Sequence, residues 1–260
     1  MTYLDVKELV EKEYLPVIPI GSLEIHGPHL PLGIDGIVAH RLALEAARYE
    51  KIVVLPPIYY SYVPEHRHFP GTISLKASTF MKLLGELCDE LQRMGFRKIV
   101  LLNGHGGNIA PLRTFLRERL WRRGACVYAI LAPWNLASDV IEELREGRVY
   151  GHACEIETSI ALHVAPELVR RERIPLGEIP TGPRHVVNGV ETPVDWVVYA
   201  VEGAVGSPSL ASQDKGRKIF EKIVERLVEI FRKIREDKLC EEGLAKYSNL
   251  ATCSYQEDPA

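Results

Sequence analysis

"RKIVLLNGHGGNIAPLRTFLRERLWRRGACVYAILAPW" (residues 97–134) holds an apolar run, a glycine turn, an amphipathic stretch and a second apolar run, in that order. The first run, "RKIVLLNG" (97–104), shows no in–out alternation, which is the pattern of a strand buried on both faces. "IAPLRTFLRERLWRRG" (109–124) spaces its apolar residues as a helix, and "ACVYAILAPW" (125–134) reads as the next strand. Continuous apolar strands separated by helices predict a parallel sheet covered on both sides.

The same alternation extends outward. "LPVIPIGS" (15–22) reads as a strand, 37–50 as a helix and "KIVVLPPIYYS" (51–61) as a second strand. Residues 78–95 read as a helix with Ser78 as N-cap and Gly95 as its stop. A short helix is expected near 136–146, and the second half of "GHACEIETSIALHVAP" (151–166) is helical until Pro166 ends it. Residues 170–211, rich in Pro and Gly, read as long ordered loops or a small sheet. Residues 214–236 form a strongly amphipathic last helix, and the tail from about 238 shows no periodicity. No repeat, low-complexity stretch or linker divides 1–260, so one domain is expected.

Composition excludes several classes. A net charge of −3 over 260 residues gives no basic bias toward nucleic acid or anionic lipid. No apolar run reaches the length of a membrane span, and Met1–Val10 lacks a signal-peptide layout, so a cytoplasmic protein is expected. Cys88, Cys126, Cys154, Cys240 and Cys253 are scattered without a CxxC pair, which predicts reduced thiols. Few Asn, Gln and Met beside many Glu, Arg and Lys hint at a thermophilic source, in which a Cys240–Cys253 bridge is the alternative.

In an open parallel sheet, sites collect beyond the carboxyl ends of the strands. "GSLEIHGPHLPLGID" (21–35) follows the first strand and carries Glu24, His26, His29 and Asp35. Glu24 and His26, two apart in extended backbone, point to the same side. Asp35, just before the helix at 37, can turn back toward them. His105 follows the strand at 97–104, His66 and His68 lie beyond the second strand, and His152 and Glu155 precede a later helix. Carboxylates and imidazoles without a thiolate cluster suit zinc, manganese or iron(II) in an open site. Taken singly, Glu24 is a surface acid, His26 or His29 a loop histidine and Asp35 an N-cap. "NGHGGN" (103–108) alone is a glycine turn or an anion nest.

Together, "GSLEIHGPHLPLGID", "FPGTIS" (69–74), "NGHGGN" and "HACEIETS" (152–159) resemble, in order and spacing, the creatininase family of metal-dependent amidohydrolases. The resemblance runs from about residue 16 to 166 and continues faintly through "GSPSLASQDKG" (206–216). It implies a three-layer α/β/α fold with a central, mostly parallel sheet, two divalent metal ions (Zn, Mn or Fe) and hydrolysis of amide C–N bonds. It implies that Glu24, Asp35 and His105 hold one metal, that His26 and Asp35 hold the other with Asp35 bridging, and that His152 is the general acid. The family's creatininase has a glutamate ligand where this chain has Gly107. The expected replacement is Glu155, three residues from His152, with Glu157 as the competing choice. His66, Gly106, Gly107 and Asn108 are the expected substrate contacts.

The expected partner is a small amide, such as creatinine, a trimmed peptide or a formamidopyrimidine nucleotide. The last would have its phosphate on the amides of 104–107 or on Arg67. A homo-oligomer, from dimers up to a hexamer, is also implied. A non-catalytic metal- or nucleotide-binding module is the reading of a different class.

Overall fold

A computed structural model describes residues 1–122, 124–182, 189–200 and 202–250. Its sheet runs β2-β1-β3-β4, all parallel: β1 is Leu15–Ile20, β2 Ile52–Val54, β3 Lys98–Asn103 and β4 Cys126–Ile130. The central strands obey the period of two that a doubly covered sheet requires. Leu15, Val17, Val100 and Leu102 enter one apolar cluster, and Ile18, Ile20, Ile99 and Leu101 enter the other.

The first cluster is closed by α2 (Ile34–Ala46), α5 (Ser138–Leu144), α6 (Glu155–Val164) and α8 (Gln213–Glu236). The second is closed by α1 (Tyr3–Glu11), α3 (Ala77–Arg93) and α4 (Ile109–Glu118). The result is the expected α/β/α arrangement. From β1 the chain crosses to β2 on one side and later to β3 on the other. The carboxyl ends of β1 and β3 therefore flank the switch point where such sheets bind ligands.

Several boundaries differ from the expected ones. The second strand ends at Val54 because Pro56 and Pro57 have no N–H for a ladder, and only a bridge from Ile20 to Ile58 continues it. Ser78 lies inside α3 and does not cap it. The Phe80 N–H already bonds the Lys76 carbonyl, so the helix starts earlier. Gly95 does mark the stop, at φ +104°. The helix expected at 37 starts at Ile34, which puts Asp35 in its first turn, where the helix dipole favours an anion.

The described part of the tail is helical. Residues Leu239–Leu250 form α9, whose first N–H is accepted by Asp237 at 3.0 Å. Tyr128 of β4 donates to the Asp237 carboxylate at 2.6 Å. Cys240 is bonded to Cys126 of β4, against the expectation of reduced thiols throughout. Cys253, the expected alternative partner, lies outside the described residues. Spacing could not reveal this pair, because it depends on the tail returning to edge strand β4, 114 residues earlier. Cys240→Ser is expected to lower the unfolding free energy by up to about 4.7 kcal/mol, the chain-entropy figure for a loop of about 100 residues. Denaturant titration with and without reductant measures it. No described helix is long and apolar enough to cross a membrane.

Candidate metal centre

Two glycines let three segments meet. A Cβ on Gly21, just past β1, would lie 2.1 Å from the Gly36 nitrogen. A Cβ on Gly104, just past β3, would lie 2.5 Å from the Asp35 carbonyl oxygen. The first turn of α2 therefore rests directly on the ends of both central strands, and it carries Asp35 into the space between Glu24, His26 and His105.

Those four side chains are buried and face one another. Asp35 Oδ1 lies 3.1 Å from His26 Nε2, while Asp35 Oδ2 lies 3.1 Å from His105 Nδ1. Glu24 Oε1 lies 2.7 Å from His105 Nδ1 and 3.9 Å from His26 Nε2, and Glu24 Oε2 contacts His66 Nδ1. The Ser22 hydroxyl, with one proton to give, sits 3.0 Å from Glu24 Oε1 and 2.9 Å from Asp35 Oδ2. Glu24, Asp35 and His105 offer one ligand atom each within 4.8 Å of one another, and so do Glu24, His26 and His152.

The electrostatics describe a site that wants positive charge. Burial raises the Glu24 carboxyl, but His105 and His66 overcome it and hold Glu24 well below the ordinary range. Burial likewise opposes Asp35, and His26 and His105 win. Burial would neutralise His26, yet Asp35 and Glu24 push its pKa up to about 9. His105, equally buried, is raised well above its ordinary value by Glu24 and Asp35. Protons on imidazoles here do the neutralising that a bound cation does better.

The hydrogen bonding fits a metal too. The His26 Nδ1–H donates to the Glu24 backbone carbonyl at 3.3 Å, which aims Nε2 at the carboxylates. Metal-ligating histidines are normally held this way by their other ring nitrogen. His26 Nε2 and Glu24 Oε2, both buried, are met among the described residues only by other members of the cluster, Asp35 and His66 respectively.

A cavity of about 1010 Å³ opens over this cluster, and Glu24, His26, Asp35, His66, His105, Gly106, Gly107 and His152 all line it. His152 packs on His26 at 4.2 Å between ring centroids, and its Nε2–H donates to the Ile25 carbonyl at 2.6 Å. Burial, with His26 adding, lowers the His152 pKa to about 3, so this imidazole is neutral.

Three expected residues are elsewhere. Glu155 is the first residue of α6 and turns away from the cluster. It accepts from the Gly147 N–H at 2.8 Å and pairs with Lys215 at 2.6 Å. The acid that reaches the cavity is Glu157, half a turn further along. Burial pushes its carboxyl up to about 7; Asp35 and Glu24 add to this and His26 opposes it. Asn108 is also not a cavity residue. It is fully buried, accepts from the Tyr62 N–H at 3.2 Å and donates to the Gly21 carbonyl at 3.1 Å, so it braces the loops. Arg67 is exposed and does not line the cavity, and His29 is bonded to Thr158 at 2.8 Å.

Sequence reading also missed part of the wall. Trp196, in the short helix α7 (Trp196–Tyr199), stands edge-on to His66 at 4.1 Å and to His152 at 5.0 Å. Asp195 caps that helix and binds His68 at 2.8 Å. Glu65, adjacent to His66, lines the cavity as well. The Pro- and Gly-rich stretch that carries Trp196 has no periodicity to place it.

Comparison with known proteins agrees with the geometry. The family model described as creatininase, creatinine amidohydrolase, matches residues 1–231. The chain is 31% identical over 259 residues to the 3-dehydro-scyllo-inosose hydrolase of Thermotoga maritima, covering 91% of this chain and 82% of that one. A structure described as a putative creatinine amidohydrolase of Bacteroides fragilis superposes with a TM-score of 0.79 at 28% identity, over 88% of this chain and 93% of that one. A creatininase variant in its zinc–zinc form superposes with a TM-score of 0.76 at 26% identity, over 90% and 95%.

Proposed function

This chain belongs to the creatininase family of hydrolases, and we propose that it is a dinuclear metal-dependent amidohydrolase that cleaves a non-peptide amide C–N bond. The observation that carries the reading is the split of Asp35, whose two oxygens each face a different buried histidine. A carboxylate in that position would be able to serve two cations at once. Glu24, Asp35 and His105 would hold one, and His26, Asp35 and Glu157 the other. Such a pair supplies a water ionised near neutral pH and a Lewis acid for the amide carbonyl.

The residues around it complete the chemistry. His152 is neutral, and with its Nε2–H spent on the Ile25 carbonyl its Nδ1 keeps the free lone pair. It would therefore take up the proton that the attacking water loses and pass it to the departing amine. Trp196 packs edge-on against His66 and His152 and so shapes the wall beside the transfer. Among the described lining residues there is no Lys or Arg. The substrate class we propose is a small amide.

Metal analysis after chelator-free purification is expected to give about two equivalents per chain, and screening of small amides for ammonia or amine release is expected to find turnover. Failure of both ends this reading. His152→Ala is expected to keep its metals and lose about 10²-fold in kcat. That is the low end of the 10²–10⁴-fold typical of acid–base groups. We also propose a homo-oligomer, which light scattering at micromolar concentration tests; a monomer would contradict it.

A further inference from the structure

We propose that Glu65 is the specificity-determining carboxylate of the cavity and that the substrate is a short amide carrying a cationic ammonium or guanidinium group. The proposal rests on the amidohydrolase reading for its reaction, but not for its binding. Glu65 sits on the single turn Pro64–His66, half-buried in the cavity wall. Among the described residues its side chain makes no hydrogen bond or ion pair. The other lining carboxylates are engaged. Glu24 and Asp35 face the histidines, Glu157 accepts from the Ala153 N–H, and Asp195 is bound by His68 and by the Val197 N–H at 3.0 Å.

The place of Glu65 matters as much as its freedom. A Cβ on Gly107 would lie 3.2 Å from Glu65 Oε1 and 2.4 Å from His105 Nε2, a buried nitrogen without a hydrogen-bond partner. The bare backbone at Gly107 thus keeps open a short gap between the Glu65 carboxylate and the cluster. A ligand whose amide lies at the cluster would reach Glu65 with a group only a few atoms away.

That group must be positive or a strong donor, because a carboxylate only accepts. The remaining wall suits a cation. Tyr62, Trp134 and Trp196 line the same cavity, and a desolvated cation gains from aromatic faces. A half-buried carboxylate without a partner is costly, and the incoming cation removes that cost.

The test uses three amides of nearly the same size at neutral pH: 4-aminobutanamide, pentanamide and succinamate. Their binding to the full-length metal-loaded protein is measured by titration calorimetry, and ammonia release is followed in parallel. 4-Aminobutanamide is expected to bind at least about tenfold tighter than pentanamide, equivalent to about 1.4 kcal/mol. Succinamate is expected to bind weakest. In Glu65→Gln the preference for the cationic amide should fall toward one. Equal affinities in the unaltered protein would overturn the proposal without recourse to any variant. A Glu65→Gln protein that weakens all three alike would also overturn it. The preference without turnover would count against the amidohydrolase reading alone, and turnover without the preference against this proposal alone.

Discussion

Asp35→Ala is expected to strip both cations from the protein and to lower turnover by more than about 10⁴-fold, beyond what one acid–base group contributes. The reason lies in its position. Its two oxygens stand 3.1 Å from His26 Nε2 and from His105 Nδ1, and the neighbouring Glu24 faces the same rings. With Asp35 removed, each proposed site keeps two protein ligands, and zinc sites normally need at least three. Asp35→Asn is the sharper version, since it keeps the volume and the hydrogen bond from Ser22 while removing the charge. Metal counting by elemental analysis, beside kcat on whichever amide the screen identifies, checks the expectation. Retention of two equivalents in Asp35→Ala would remove the bridging role.

The residues behind this expectation differ in how far the sequence discloses them. β1, β3 and β4 are legible because each is an apolar run that both faces of the sheet bury. Glu24, His26 and His105 follow from the strand ends, since a parallel sheet presents its carboxyl edge to the site. Asp35 was expected to turn back toward them. That it does so from inside a helix depends on the contact of Gly21 and Gly104 with the first turn of α2, which is a packing fact. Trp196 and Glu65 were not legible at all, because neither sits in a periodic element and their roles come from contacts across the cavity. The pairing of Cys126 with Cys240 is similar, since nothing local to either residue points to the other.

Glu157→Gln and Glu155→Gln are expected to give opposite results, although the two acids are only two residues apart. Two residues along a helix is a turn of about 200°, so only one can face the cavity. The start of α6 decides which one. Helical backbone begins at Glu155, after Cys154 in extended conformation, and this sends Glu155 toward Lys215 and the Gly147 N–H. Loss of that charge leaves Lys215, itself mostly buried, with the exposed Glu146 as its remaining carboxylate partner. Glu155→Gln should therefore keep both cations and lower stability by about 1.5–3 kcal/mol, the range for hydrogen bonds to charged groups.

Glu157→Gln should instead lose one cation and about 10⁴-fold in turnover, at the upper end of the acid–base range because a ligand is lost and not only a proton carrier. Its effect on the metal-free fold has the other sign. The Glu157 carboxyl is raised by burial from 4.5 to about 7, so between those pH values the folded state holds a proton that the unfolded state has released. Stability of the metal-free protein then falls as pH rises through that window, and glutamine abolishes the fall. Metal counting with thermal melts across pH 4.5–7 reads both effects. One cation lost from the Glu155 variant, with both kept in the Glu157 variant, would return the ligand role to Glu155.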